Sequence, residues 1–119
     1  MATAMTPHAN LWIERDGQVV LSLWRVQLLE AIETTGSISA AAERMQVQYH
    51  RAWDRLQEME KGLGVPLVER HAGGPGGGGA RLTDAGRQHV ARFNVFARGV
   101  EALISEQFKQ AFPDEPSAS

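Results

Sequence analysis

Four consecutive hydrogen-bonding side chains open a segment whose apolar spacing predicts a helix. They are Gln48, Tyr49, His50 and Arg51, and Arg55 lies one helical turn beyond Arg51. Side chains of these types can bond to base edges and phosphates, and the major groove of DNA is wide enough to admit one helix. The alternative is the ordinary solvated face of an amphipathic helix. The elements around the segment must decide between the two.

A second candidate site is the glycine-rich run 73–79, which Arg70, His71 and Arg81 bracket. A nucleotide-binding P-loop needs Lys and then Ser or Thr after the last glycine, where a helix must start. Here Ala80–Leu82 follows instead and has strand character. The run therefore favours a flexible hairpin tip whose backbone can approach a phosphate or the minor groove, with nucleotide binding as the weaker alternative.

Residues for catalysis or metal binding do not form a pattern. The four histidines lack ligand spacing, and the chain has no cysteine. No serine lies in a nucleophile elbow, and no pair of carboxylates suggests acid–base work. We therefore expect no enzyme, no metal and no cofactor.

The first elements that would position these residues are a hairpin and a helix. Leu11–Leu21 alternates around Asp16 and Gly17, a pair that favours a two-residue hairpin turn. Helical spacing replaces this alternation over Leu23–Thr35, and a glycine follows, as expected just past a helix end. The spacing predicts a small β-hairpin followed by helix 1.

Two further helices and a wing complete the pattern. Ser37–Met45 begins with a good N-cap and predicts a short helix 2, and Tyr49–Leu63 predicts helix 3, ended by Gly64 and Pro66. Strands over Leu67–His71 and Ala80–Leu82 flank the glycines. Thr83 and Asp84 are a capping signal for a long helix 4 over about 84–110.

This order predicts a mainly α fold with small β elements, a winged helix-turn-helix in which helices 2 and 3 bind DNA. We expect one domain over 11–112, with disordered tails at 1–10 and 113–119. The residues expected to contact double-stranded DNA are Ser37, Ser39, Gln48, Tyr49, His50, Arg51, Arg55, Arg70, His71, Arg81 and Thr83.

Three segments resemble LysR-type and ModE-type bacterial regulators: TGSISAAA at 35–42, LGVPLVER at 63–70 and LTDAG at 82–86. Two more are similar to the ModE-type, molybdate-responsive regulators in particular, namely YHRAWD at 49–54 and the glycine-rich wing at 73–83. The N-terminal Leu11–Glu14 with its hairpin also resembles that family.

The resemblance covers about residues 11–110 and implies a DNA-binding transcription regulator with a LysR-like winged helix-turn-helix. Gln48 stands where such families usually have serine. ModE-type proteins continue into oxyanion-binding domains beyond the matched region, so we do not expect molybdate or tungstate binding within this chain.

Helix 4 is longer than the packing of so small a domain requires. Its main apolar positions are spaced three, four, three and four, which is typical of a two-helix seam. We therefore expect a homodimer, the alternative being that the stripe covers helix 1. The stripe consists of Val90, Phe93, Ala97, Val100 and Ile104.

Net charge is −2, which taken alone disfavours nucleic acid, but residues 36–92 hold eight basic and six acidic groups. The weak overall charge and the acidic ends leave an alternative open: a protein–protein interaction module with this fold that does not bind DNA. No signal peptide or membrane span is indicated, and cysteine is absent, so we expect a cytoplasmic protein.

Overall fold

The computed structural model describes residues 3–74 and 77–116. Two hairpins and four helices follow the predicted order, which confirms a mainly helical winged helix-turn-helix. The elements are β1 (Trp12–Arg15), β2 (Gln18–Ser22), α1 (Leu23–Thr35), α2 (Ile38–Arg44), α3 (Tyr49–Leu63), β3 (Val68–Gly74), β4 (Gly77–Leu82) and α4 (Asp84–Ala111).

The β1–β2 hairpin turns at Asp16 and Gly17, whose φ values of 53° and 77° lie in the left-handed region that Asp-Gly tolerates. Strand β2 leads directly into α1, where the Ser22 hydroxyl accepts a hydrogen bond from the Arg25 backbone N–H. The Arg15 guanidinium donates to the Gly62 carbonyl at 3.0 Å and ties the hairpin to the end of α3. The predicted hairpin is confirmed.

Helix boundaries follow the capping residues. Gly36 ends α1 with φ 83°, and Gly64 ends α3 with φ 75°, since glycine adopts the left-handed conformation at little cost. Ser37 caps α2 by accepting from the Ala40 N–H at 2.9 Å. The turn from α2 to α3 passes through Gln46 at φ 59°, which directs α3 away from α2.

One apolar core joins α1, α2, α3, the wing strands and the first half of α4. Its largest fully buried side chains come from α1, α3, α4 and the residue before β3. Helix α2 contributes small alanines instead, which let it pack closely against α1 and α3. The largest buried side chains are Val26, Leu28, Leu29, Ile32, Leu56, Met59, Leu67 and Phe93.

The wing differs from the prediction, because its strands extend into the glycine run. Strand β3 reaches Gly74 and β4 begins at Gly77, so only positions 75–76 of the predicted loop lie outside the described residues. Strand pairing uses backbone groups alone, and glycines can pair although they lack side chains to mark a strand. The pairing is irregular between His71 and Gly74.

Backbone bonds attach the wing to the helices. The Ala80 N–H donates to the Gly36 carbonyl at 2.7 Å, and the Leu82 N–H donates to the Glu33 carboxylate at 2.7 Å. On the other strand, Glu60 accepts from the N–H groups of Leu67 and Val68 at 2.7 and 3.2 Å. The wing is therefore held against both α1 and α3.

One residue of the predicted dimer stripe on α4, Phe93, is placed differently by the structure. Phe93 is only 2% exposed and lies in the protomer's own core, so a partner helix could not reach it. Val90 and Ala97 pack against the same core, and Val100 and Ile104 are half-buried. This face of α4 is turned toward the core of its own protomer, because the first half of α4 packs over α1.

Residues 3–10 form no helix or strand. Part of this segment, from Thr6 to Ala9, lines a cleft of about 470 Å³ together with Val100 and Ile104, and the Met5 N–H donates to the Glu115 carboxylate at 3.2 Å. The described part of this stretch therefore lies beside the second half of α4. That both tails are disordered stays a prediction. No helix in the described ranges combines the length and apolar character needed to cross a bilayer.

The start of α4 packs very closely on the wing. A methyl group at Gly86 would overlap the Leu67 carbonyl oxygen, which also accepts from the Thr83 N–H at 2.9 Å. Gly86 is buried, so a side chain has no open direction. The glycine of the LTDAG segment is therefore required by packing.

We expect Gly86→Ala to destabilise the protein by about 1–3 kcal/mol, although alanine ordinarily favours a helix, because overpacking outweighs propensity here. Urea unfolding with matched oligomeric state measures the change. Gly99→Ala on the same helix is the control, since the added methyl group has no atom within 4 Å apart from its chain neighbours and the nearby backbone of α4. A Gly86→Ala protein as stable as the control would contradict this packing.

Candidate nucleic-acid interface

The first turn of α3 presents its polar side chains to solvent. Gln48, Tyr49, His50 and Arg51 are all exposed, and Tyr49 is 51% exposed although it is aromatic. They are exposed because the opposite face of α3 is anchored in the core by Ala52, Leu56 and Met59. Gln48 occupies the N-cap position but makes no side-chain cap bond, so its amide is available for other contacts.

Two clefts flank this turn. One, of about 730 Å³, lies between Trp24 at the start of α1 and the α2–α3 turn, and Gln46 and Arg51 line it. The other, of about 260 Å³, lies between the start of α2, Tyr49 and the wing, where Ser39 also contributes. The turn thus forms a ridge between two grooves.

The arginines near this ridge differ in their partners. Arg55 donates to Glu58 at 2.7 Å, and Arg81 donates to Glu69 at 3.0 Å. Within the ranges that the structure describes, Arg51 and Arg70 form no ion pair. Arg51 and Arg70 therefore keep their full charge for an external anion, whereas a neighbouring carboxylate offsets the charge of the other two.

Glu58 also accepts from Arg25 at 2.9 Å and so joins α1 to α3. Burial alone would raise the pKa of Glu58, but the Arg25 hydrogen bond and the charge of Arg55 outweigh burial and lower the pKa below its usual value. Glu58 is therefore ionised at neutral pH, and the ion pair with Arg55 persists there.

An aromatic stack connects α3 to the wing. The Arg70 guanidinium carbon lies 3.9 Å from the centroid of the Trp53 ring, and Tyr49 stacks on Trp53 with ring centroids 6.5 Å apart. Trp53 is half-buried, so one part of its ring packs on the core and another part contacts the Arg70 guanidinium.

Two hydroxyls expected to contact DNA, those of Ser37 and Thr83, make helix-capping hydrogen bonds in the structure. Ser37 caps α2, and Thr83 caps α4 by accepting from the Gly86 N–H while donating to the Pro66 carbonyl at 2.8 Å. Ser39 and His71 are exposed and line the cleft beside the wing. The assignment of all these residues to DNA binding stays a prediction.

Sequence reasoning missed two residues of this surface. Gln46 is exposed and lines the larger cleft, and its position between two predicted helices was the only available signal. Trp53 is absent from the residues expected to contact DNA, although its spacing of four from Tyr49 is that of neighbours on a helix face. Its contact with Arg70 depends on how the wing folds back.

Comparison with known proteins agrees with this geometry. A sequence model described as bacterial regulatory helix-turn-helix protein, lysR family, matches residues 23–87. The molybdenum-pterin-binding protein MopB of Rhodobacter capsulatus is 43% identical over 93 residues, which are 78% of this chain and 34% of MopB. The molybdenum transport protein ModE of Azotobacter vinelandii is 45% identical over 87 residues, which are 73% of this chain and 32% of ModE. The chain thus spans about a third of the length of these curated relatives.

Solved structures share the fold. The crystal structure of VV2_1132, a LysR family transcriptional regulator, has a TM-score of 0.57 and 26% identity, covering 76% of this chain and 29% of that one. A crystal structure of a CbnR_DBD–DNA complex, at 24% identity, has a TM-score of 0.51 and covers 76% and 93% of the two chains. The resemblance to the N-terminal part of ModE-type regulators is confirmed by sequence, and the chain belongs to the LysR family of bacterial regulatory helix-turn-helix proteins.

Proposed function

We propose that the protein is a sequence-specific DNA-binding transcription regulator that acts as a homodimer. The observation that carries the proposal is the exposed first turn of α3, where Gln48, Tyr49, His50 and Arg51 stand between two clefts. Arg51 can bond to both acceptors of a guanine, and Gln48 can bond to both the acceptor and the donor of an adenine. The solved CbnR_DBD–DNA complex shares the fold, so a domain of this fold has a precedent for binding DNA.

The net charge of −2 does not oppose this function, because phosphate binding depends on where the charges lie. Among the described residues, the arginines without a carboxylate partner include Arg51 beside one cleft and Arg70 beside the other. Arg70 can contact a backbone phosphate at the edge of a major groove, while Arg51 on α3 contacts the bases. The rival function, a protein-binding module, needs no unpaired arginine at these two places.

The dimer contact is proposed on the exposed face of α4. Val95, Phe96 and Leu103 are 61%, 45% and 58% exposed, and Phe96 and Leu103 are seven residues apart and so share one face. This face lies at the edge of the core: the Phe96 ring meets the buried Phe93 edge-to-face, with centroids 6.2 Å apart, and leaves the rest of its surface in solvent. Burying it against a second copy would remove apolar side chains from water.

A dimer also suits the reading of DNA. Two recognition helices must lie about 34 Å apart to enter successive major grooves, and a fixed dimer sets that spacing. The target would then be a roughly palindromic site. Because this function requires no chemistry and acts on the bacterial chromosome, we propose a cytoplasmic protein without enzymatic activity.

The relatives' names refer to molybdenum, but this chain matches only about a third of their length. We propose that the described domain does not itself hold molybdate or tungstate. Effector control would then come from outside the domain.

A gel-shift assay with genomic fragments, followed by a salt titration, tests DNA binding. Specific binding should select some fragments over others, and its affinity should fall steeply with salt because phosphate contacts release counterions. Lack of retardation at low salt would favour the protein-binding module. A site selected from random duplexes then serves for the variants below.

We expect Arg51→Ala to weaken binding to the selected site by about 1–3 kcal/mol and to leave random DNA much less affected. Fluorescence anisotropy on both duplexes measures the difference. Arg98→Ala, which removes the same charge from an exposed position on α4, is the control. Equal losses on both duplexes would make Arg51 a phosphate contact, and no loss would remove α3 from the groove.

We expect Phe96→Glu and Leu103→Glu to give folded monomers with much weaker binding to the selected site, because a charge on the exposed face must lose water to enter the interface. Sedimentation velocity and circular dichroism measure assembly and folding. Ser105→Glu adds the same charge to an exposed position on another side of α4 and should remain a dimer. A monomeric wild type at micromolar concentration would contradict the proposed interface.

A further inference from the structure

Arg70 and Trp53 come from different elements, yet their side chains are in direct contact. Arg70 lies on β3 and is exposed, whereas Trp53 lies on α3 one turn after Tyr49. The guanidinium lies over the ring at 3.9 Å from its centroid, and Tyr49 extends the stack. The contact therefore joins the wing to the helix that carries the proposed base-reading side chains.

Stacking fixes the guanidinium without consuming its hydrogen bonds. A guanidinium uses its face to stack on an aromatic ring, while its five N–H donors point outward around the edge. In the described parts of the chain no carboxylate forms an ion pair with Arg70. An arginine held in this way keeps its donors and its charge, and it loses less rotamer freedom when an anion arrives.

The stacked arginine lines the smaller cleft. Ser39 and Tyr49 line the same cleft from the helices, and His71 and Gly79 line it from the wing. Each of these side chains can donate a hydrogen bond, except that of glycine, and none of the described residues that line the cleft is acidic. The lining therefore suits a phosphate oxygen.

We propose that Trp53 is a positioning residue for DNA binding: its indole face holds Arg70 at the cleft, where the guanidinium meets a backbone phosphate. Arg70 makes the phosphate contact of the wing while α3 reads the bases. Trp53 fixes the position of the Arg70 guanidinium relative to α3. The inference rests on the proposed function, since the phosphate belongs to the DNA that α3 enters.

The stack itself is tested in the free protein by nuclear magnetic resonance. Protons next to a guanidinium that lies over an indole shift upfield, so the Arg70 side chain should show this shift in the wild type. Trp53→Leu should abolish the shift, and Trp53→Phe should retain part of it. An Arg70 side chain without an upfield shift in the wild type would overturn the proposal whatever DNA binding shows.

The consequence for DNA is tested by a double-mutant cycle on the selected site and on random DNA. Arg70→Gln should weaken both equally and reduce the slope of log affinity against log salt by about one unit. Trp53→Leu should weaken both by about three- to fivefold, the size of an exposed cation–π contact. The double variant should bind no more weakly than Arg70→Gln alone, because the indole acts only through the guanidinium.

Controls separate positioning from stability and from the function itself. Trp53→Phe should restore most of the affinity, because it keeps an aromatic face. If Trp53→Leu proves unfolded by circular dichroism, Trp53→Met, which also lacks an aromatic face, takes its place in the cycle. Trp12→Leu changes an exposed tryptophan on β1 and should bind as the wild type does. Additive losses in the double variant, or full affinity of Trp53→Leu, would overturn the positioning role alone. A wild type that binds no DNA would overturn the proposed function and the inference with it.

Discussion

The placement of the wing depends on two carboxylates that accept hydrogen bonds from its backbone. Glu33 holds the end of β4 against α1, and Glu60 holds the beginning of β3 against α3. Hydrogen bonds to a charged acceptor contribute about 1.5–3 kcal/mol, more than those between neutral groups. Through these bonds a two-stranded hairpin, which is marginal alone, takes a defined position beside α3.

This anchoring explains why Arg70 can meet Trp53 at all. The register places Arg70 opposite Ala80, and Ala80 is bonded in turn to the Gly36 carbonyl. The side chain of Arg70 therefore projects from a strand whose depth and direction are both fixed. A free hairpin would present the same arginine over a range of positions, and the cleft beside Tyr49 would have no fixed wall.

Much of this architecture could be predicted from local signals. The bounds of α1 and α3 follow from Gly36 and Gly64, because the left-handed conformation at a helix end strongly favours glycine. The full extent of the wing could not be predicted, since pairing between glycines leaves no side-chain pattern. The partners of Arg81 and Arg70 could not be predicted either. The ion pair of Arg81 with Glu69 depends on strand register, and the contact of Arg70 with Trp53 depends on tertiary packing. Phe93 was misplaced because regular spacing alone does not tell which side of α4 faces the core.

In the proposed dimer, α4 uses different residues for folding and for assembly. Phe93 serves the core, while Phe96 and Leu103 remain outside it. In the proposed dimer the core of each protomer is complete without the partner, so the pairing of two protomers would be a mass-action equilibrium of its own. When the free protomer predominates and only the pair occupies a palindromic site, occupancy rises with the square of protomer concentration. The regulatory response would then be steeper than a single-protomer response, and its midpoint could be adjusted by substitutions on the outer face that leave both the core and the base-reading turn unchanged.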